Sequence, residues 1–370
     1  MIDSVLNSAL YLFAFVFVLS VVVLVHEWGH FIVARLCGVK VTHFSLGFGR
    51  VLWKRTDKKG TQWQVCLWPL GGYVKMLGDE DAASAKTDTA KVPEAERKYM
   101  FMAQPLYKRA AVIFAGPAMN YIFAIILFTG IFATVGRGIV PPVIGDFLEV
   151  SPARDAGMMV GDKITDINGT KIKEWSDILR AIRIVDFGHE LNITVDRNGE
   201  TLVFPVHTVI HEEYKDNFPR VGIKMNLETY QHQKMGLVTA FTETIQLVYT
   251  MTVDTLQYLG QVLTGTREAD GMRGPLGIAE MSGDAVKSGI ETLILFVAQI
   301  SVAIGLMNLL PIPLLDGGHL FFYAIEAIIR RPLSERVQNV LLWIGMSVLI
   351  CLLIYTMFLD IPRIFERIFG

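Results

Sequence analysis

Residues 21–34 read VVVLVHEWGHFIVA, an apolar run with His26, Glu27 and His30 set into it. Strongly polar groups are costly at hydrocarbon depth and persist there mainly for function. At about 3.6 residues per helical turn, two residues four apart share a face, so His26 and His30 point the same way. Glu27 then lies roughly 100° from the first and 60° from the second. Two imidazoles at this spacing can share a zinc ion, with the carboxylate in reach of a water on that ion as general base. The competing reading is a pair of buried histidines satisfied by backbone carbonyls.

A catalytic zinc takes three protein ligands and keeps one position open. The third ligand is expected from another apolar segment, and GLMNLLPIPLLDGGHL (305–320) holds Asp316, the lone carboxylate between Glu291 and Glu326. Pro311 and Pro313 break the helix ahead of it, and Gly317-Gly318 would let the backbone turn beside a metal. Alternatively Asp316 only caps the helix that follows. His319 is a rival ligand or a neighbour. Asn308 is placed either to hydrogen-bond a substrate backbone or the transition-state oxygen, or to tie two helices together. His43 reads as structural.

These side chains need elements to position them. The chain has 370 residues, 52% hydrophobic and 19% charged, with a mean hydropathy of +0.42. That composition fits several membrane spans joined to a polar domain. A net charge of −2 with no basic block excludes a nucleic-acid binder. Cys37, Cys66 and Cys351 form neither a disulfide framework nor a C-x-x-C metal site. Apolar stretches at 5–25, 110–136, 292–315 and 337–359 are each long enough to cross a bilayer. The first lacks a basic start and runs into HEWGH, so it reads as a true span rather than a cleaved signal. Arginines and lysines crowd 35–109 and recur at Arg330, Arg331 and Arg336. They put those loops on the cytoplasmic side and 137–291 outside, with HEWGH toward the cytoplasmic half of the membrane.

The fold class is therefore a polytopic α-helical membrane protein of four transmembrane helices, with a membrane-associated β-hairpin and one extracytoplasmic α+β module. The predicted division is a first span with HEWGH (1–36), a hairpin and polar loop (37–106) and a second span (107–136). The module (137–230) and an amphipathic membrane-surface helix region (231–290) follow. A third span ending in LDGGH (291–320), a short cytoplasmic-side segment (321–336) and a fourth span with its tail (337–370) complete it. Residues 41–77 carry aromatic and β-branched runs around TDKKGT, a hairpin signal. The hairpin either pairs an edge strand with an extended substrate or merely covers the helices. Residues 79–98 read as a mobile loop. In the module, AGMMVGDKITDING followed by a helix resembles a PDZ domain, and a hairpin turns at Arg197-Asn198-Gly199.

HEWGH, PLGGYVKM, FAGPAMNYIFA (114–124), the PDZ-like module, GPLGIAE (274–280) and NLLPIPLLDGGH (308–319) occur in one order. Together they resemble the site-2 protease family of intramembrane zinc metalloproteases (M50), in its bacterial regulator-of-sigma-E branch. The resemblance implies one catalytic Zn2+ held by His26, His30 and Asp316, with Glu27 as catalytic base. It implies substrate contacts at Asn308 and in the hairpin, where Gly71, Gly72 and Tyr73 lie. It also implies cleavage of single-pass membrane proteins, such as anti-sigma factors already cut outside the membrane, and of remnant signal peptides. The lipid bilayer is the other partner, in a bacterial inner membrane. Well-known members of that branch carry two PDZ domains, whereas one such motif occurs here.

Overall fold

The computed structural model describes residues 2–78, 92–183, 188–210, 219–266, 269–331 and 333–369. Most of the expected mobile loop, 79–91, lies outside them. The chain divides into two units, Met1–Gly130 with Phe241–Gly260 and Gly271–Gly370, and Ile131–Ala240 with Gln261–Asp270. Among the described residues, four helical stretches are long and apolar enough to cross a membrane: Ala9–Leu36, Leu106–Thr134, Ile290–Leu309 and Arg336–Arg363.

Helix α1 (Ile2–Leu36) is apolar around its circumference up to HEWGH, as suits a helix with no water-facing side. Strands β1 (Val41–Thr56) and β2 (Gln62–Met76) follow, joined by the turn at 57–61. Both strands bend, so two strands make four runs. Residues 43–46 face 72–75 on one side, with His43 opposite Lys75 and Leu46 opposite Gly72. On the other side they face 62–65, which in turn pair with 53–56. The run 72–76 is thus an outer one, and among the described residues no further strand pairs with it. Phe31, Ala34, Val41, Phe44, Val74 and Val112 fuse the hairpin to α1 and to α2 (Leu106–Thr134). Trp28, Phe31, Phe44 and Trp63 add a cluster of rings with neighbouring centroids 4.6–6.1 Å apart. In the turn, the Arg35 guanidinium pairs with Asp57.

The second unit opens with β3 (Arg137–Ile139), β4 (Ile144–Phe147) and the short α3 (Pro152–Asp155), capped by Ser151. Next come β5 (Lys163–Ile167), β6 (Thr170–Lys171), α4 (Trp175–Arg183), β7 (Glu190–Arg197) and β8 (Glu200–His207). The last four strands form an antiparallel sheet in the order β6-β5-β7-β8. Asn198 and Gly199 both take positive φ at the β7–β8 turn, as a tight two-residue hairpin requires. Ile164, Ile167, Ile178, Leu191, Ile193 and Val195 fill the core. Beneath it Asp162, 1% exposed, accepts bonds from Arg197 at 2.7 Å. Short strands β9 (Val209–Ile210), β10 (Pro219–Arg220), β11 (Ile223–Met225) and β12 (Gln231–Gln233) pair with one another or with β4 and β3.

Helix α5 (Leu237–Leu263) exposes Leu237, Val238, Phe241, Ile245, Tyr249, Leu256 and Leu263. After it the structure departs from the expected single surface-helix region, because α6 (Pro275–Lys287) is a separate helix packed into the bundle. Pro275 starts it, a favoured first helical position. Ala285 and Ile278 pack with Val18 and Val22 of α1, and Tyr11 donates to Asp284 at 2.6 Å. The bundle closes with α7 (Ile290–Leu309), α8 (Asp316–Ile329) and α9 (Glu335–Phe369). From α9 the buried Asp360 accepts the N–H groups of Gly274 and Gly277 at 3.1 and 2.8 Å, supplying α6 with the acceptor its own N-cap lacks.

Candidate metal centre

His26 and His30 project from adjacent turns of α1, each 8% exposed. Their rings stand edge to face at 85°, with the Nε2 atoms 3.2 Å apart. Asp316, the first residue of α8, brings Oδ2 to 3.0 Å from His26 Nε2 and 3.5 Å from His30 Nε2. The reading of Asp316 as a helix cap does not fit this structure. The N-cap position is Leu315, and no side-chain cap bond forms. Nor do Gly317 and Gly318 supply the turn, since both lie inside α8. The chain reverses before them, with Leu314 at a φ of 88°. The glycines instead admit a close approach, because a Cβ on Gly318 would meet the Ile312 carbonyl carbon at 2.8 Å.

Helix α2 forms the wall behind the histidines. His30 Nδ1 lies 2.8 Å from the Val112 carbonyl, which can only accept, so Nδ1 carries the proton and Nε2 keeps its lone pair. A Cβ on Gly116 would collide with both imidazole rings. Asn120, fully buried, faces His26 Nδ1 at 3.3 Å.

Three lone-pair atoms therefore converge, and Asp316 Oδ2 is buried without a hydrogen-bond donor. Left bare, such a cluster is costly, and a cation relieves it. Tetrahedral zinc with ligand bonds near 2.0–2.1 Å puts its ligand atoms about 3.3 Å apart, close to the separations here. Among the described residues, this is where at least three His, Cys, Asp or Glu donors fall within 4.8 Å of one another. His319 is not part of that cluster; its ring packs edge-on to Phe322, with centroids 6.2 Å apart.

A cavity of about 290 Å³ opens on the triad, lined among others by Glu27, Gly72, Tyr73, Asn308 and His319. Gly72 lets the outer run of β2 press against α1, since a Cβ there would fall 2.8 Å from the Ser45 carbonyl oxygen and 3.3 Å from Glu27 Cγ. Gly71 is not among the lining residues. Its φ of 112° and the Phe48 ring beside it mark it as the bend that turns β2 into that run. Asn308 donates to the Ile304 carbonyl one turn back, at 3.1 Å. Across the cavity Arg109 and Glu326 pair at 3.5 Å, with the guanidinium over the Tyr323 ring. Sequence reasoning passed over both, although a lone carboxylate in an apolar helix was a signal. The arrangement supplies three candidate ligands, a carboxylate beside them and a strand edge along one wall.

The sequence profile of peptidase family M50 matches residues 14–352. An Agrobacterium fabrum protein, named provisionally as a zinc metalloprotease, is 40% identical over 96% of this chain and 96% of its own length. A Rickettsia conorii protein with the same style of name is 38% identical over 95% and 98%. The "Regulator of sigma E protease" of Haemophilus influenzae is 30% identical over 95% of this chain and 98% of its own. The PDZ domain of an SdrC-like protein from Listeria innocua is 21% identical and covers 26% of this chain and 99% of its own, with a TM-score of 0.21.

Proposed function

Since the chain belongs to peptidase family M50 and is a zinc metalloprotease with several apolar spans, we propose that it cleaves transmembrane segments of single-pass membrane proteins. The observation that carries this reading is the convergence of His26, His30 and Asp316 beside Glu27 in a cavity bordered by a strand edge. His26 and His30 would hold one zinc through Nε2, and Asp316 through a carboxylate oxygen. When bound, zinc supplies a Lewis acid and makes water a nucleophile at neutral pH. Glu27 takes a proton from the attacking water on its carboxylate and hands it to the leaving amine. Asn308 turns from Ile304 to stabilise the oxyanion.

A substrate helix must unwind before its carbonyls are open to attack. Gly72 and Tyr73 border the cavity on an outer run that pairs with no further strand among the described residues, so they would hold the unwound segment as an added strand. Gly71 serves that contact indirectly, through the bend it makes. The 137–230 module, read as a PDZ domain, lies outside a bacterial inner membrane, with the active site toward the cytoplasm. The basic loops at 35–109 and 330–336 support that orientation. Substrates of the anti-sigma-factor type, already cut outside the membrane, are the first candidates, in keeping with the name of the Haemophilus relative, and remnant signal peptides are a second class.

The test is cleavage of a tagged single-pass substrate with a short outer domain, by wild type and Glu27→Gln side by side. A fragment made by wild type alone and abolished by a zinc chelator is expected. Equal cleavage by both proteins would remove Glu27 from its role.

A further inference from the structure

Residues 112, 116 and 120 are spaced four apart along α2, and each addresses the histidines of α1. Val112 fixes His30 and Gly116 leaves room for both rings. Asn120 is fully buried, with Nδ2 3.3 Å from His26 Nδ1 and Oδ1 enclosed without a partner. An imidazole that offers Nε2 to a metal carries its proton on Nδ1, so the group facing Nδ1 has to accept. A half-turn of the Asn120 amide exchanges its oxygen and nitrogen with no change of shape. In that pose Oδ1 accepts the hydrogen bond of the His26 Nδ1–H, and Nδ2 takes the enclosed position that Oδ1 leaves.

We propose that Asn120 is a positioning residue whose side-chain oxygen accepts the Nδ1–H of His26, fixing the tautomer and ring angle that aim Nε2 at zinc. This rests on the reading of His26 as a zinc ligand. The residue is itself held in place, since Ser301 of α7 donates to the Asn120 backbone carbonyl at 2.9 Å. The two imidazoles are thus oriented in different ways by one helix, His30 by a main-chain carbonyl and His26 by a side chain. Only the second can be removed by substitution.

The experiment is the zinc dissociation constant of the purified full-length chain, measured by competition with a chromophoric chelator. Removing such an outer partner typically weakens metal affinity about 10–100-fold. Asn120→Leu, similar in shape but with no acceptor, is expected to lose affinity by that factor. Asn120→Asp, which accepts the same proton, is expected to bind as tightly as wild type or more so. Leu within twofold of wild type, or Asp as weak as Leu, would overturn the proposal and leave Asn120 a packing residue. If Asn120→Leu does not fold, Asn120→Asp decides alone, with a tenfold loss counting against the proposal. A wild-type chain that binds no zinc, or a His26→Ala chain that binds it undiminished, would overturn the ligand assignment beneath it, and is distinguishable from either Asn120 result.

Discussion

Each side chain of the triad leaves its neighbours in a state that only a cation completes, and this gives separate predictions for ligand and base. Asp316→Ala removes one of three ligands, so bound zinc measured by elemental analysis should fall to a small fraction of the wild-type content. Glu27→Gln should keep the metal and lose about 10²–10⁴-fold in turnover, the usual worth of a positioned base, read by single-turnover cleavage. Gly116→Ala should abolish both, because its Cβ would meet His26 Cε1 at 2.9 Å and overpacking of this kind costs about 1–3 kcal/mol. The convergence of His26 and His30 beside Glu27 was legible in the sequence, because four-residue spacing and helical period coincide on a single segment. Asp316 was legible as a lone carboxylate in an apolar stretch. Asn120 was not, since an amide inside FAGPAMNYIFA reads equally well as a tie between two helices. Its partner lies on another element, and no periodicity encodes that.

Between residue and domain, elements press on the site through a few close approaches. Gly72→Val should push the outer run of β2 away from Ser45 and Glu27. Zinc content is expected to persist while cleavage falls, a split that a metal-site defect would not give. The β-rich character of 41–77 was readable from its aromatic and β-branched runs, but the four-run arrangement was not. Strand pairing depends on which distant segments meet, and residues 43–46 meet two. For the same reason α6 went unseen, as its polar and small residues are buried by α1 and capped by Asp360 of α9. In the second unit burial pushes the Asp162 carboxyl up, but Arg197 and the Met159 N–H outweigh it and hold it below its ordinary 3.8. A depressed carboxyl contributes stability that is complete above the unfolded value and lost as pH falls through the folded one. Hydrogen exchange of 190–207, normalised to the unfolded chain, should therefore lose protection below about pH 4. Asp162→Asn should weaken that protection at neutral pH, leaving less to lose in acid.

Over the whole molecule, none of the described residues of the 137–230 module lines the cavity, and the proposed part of the module in catalysis is one of admission. Deleting it should let the protease act on substrates whose outer domain is intact, seen as a fragment that wild type does not make. If those substrates stay uncut, the barrier lies in the membrane unit. The order of spans was legible because hydrocarbon thickness imposes a minimum apolar length, which composition reports directly. The triad has a further consequence in time. Its histidines lie on α1 and its carboxylate on α8, 286 residues after His30 (316 − 30). At about 5–20 residues per second, roughly 15–60 s of synthesis separate them. During that interval the nascent chain holds two of the three proposed ligands and the proposed base but no complete centre. Until Asp316 is made, the proposed centre lacks its third ligand, so metal binding of the full strength expected for three ligands has to wait for the segment that carries it.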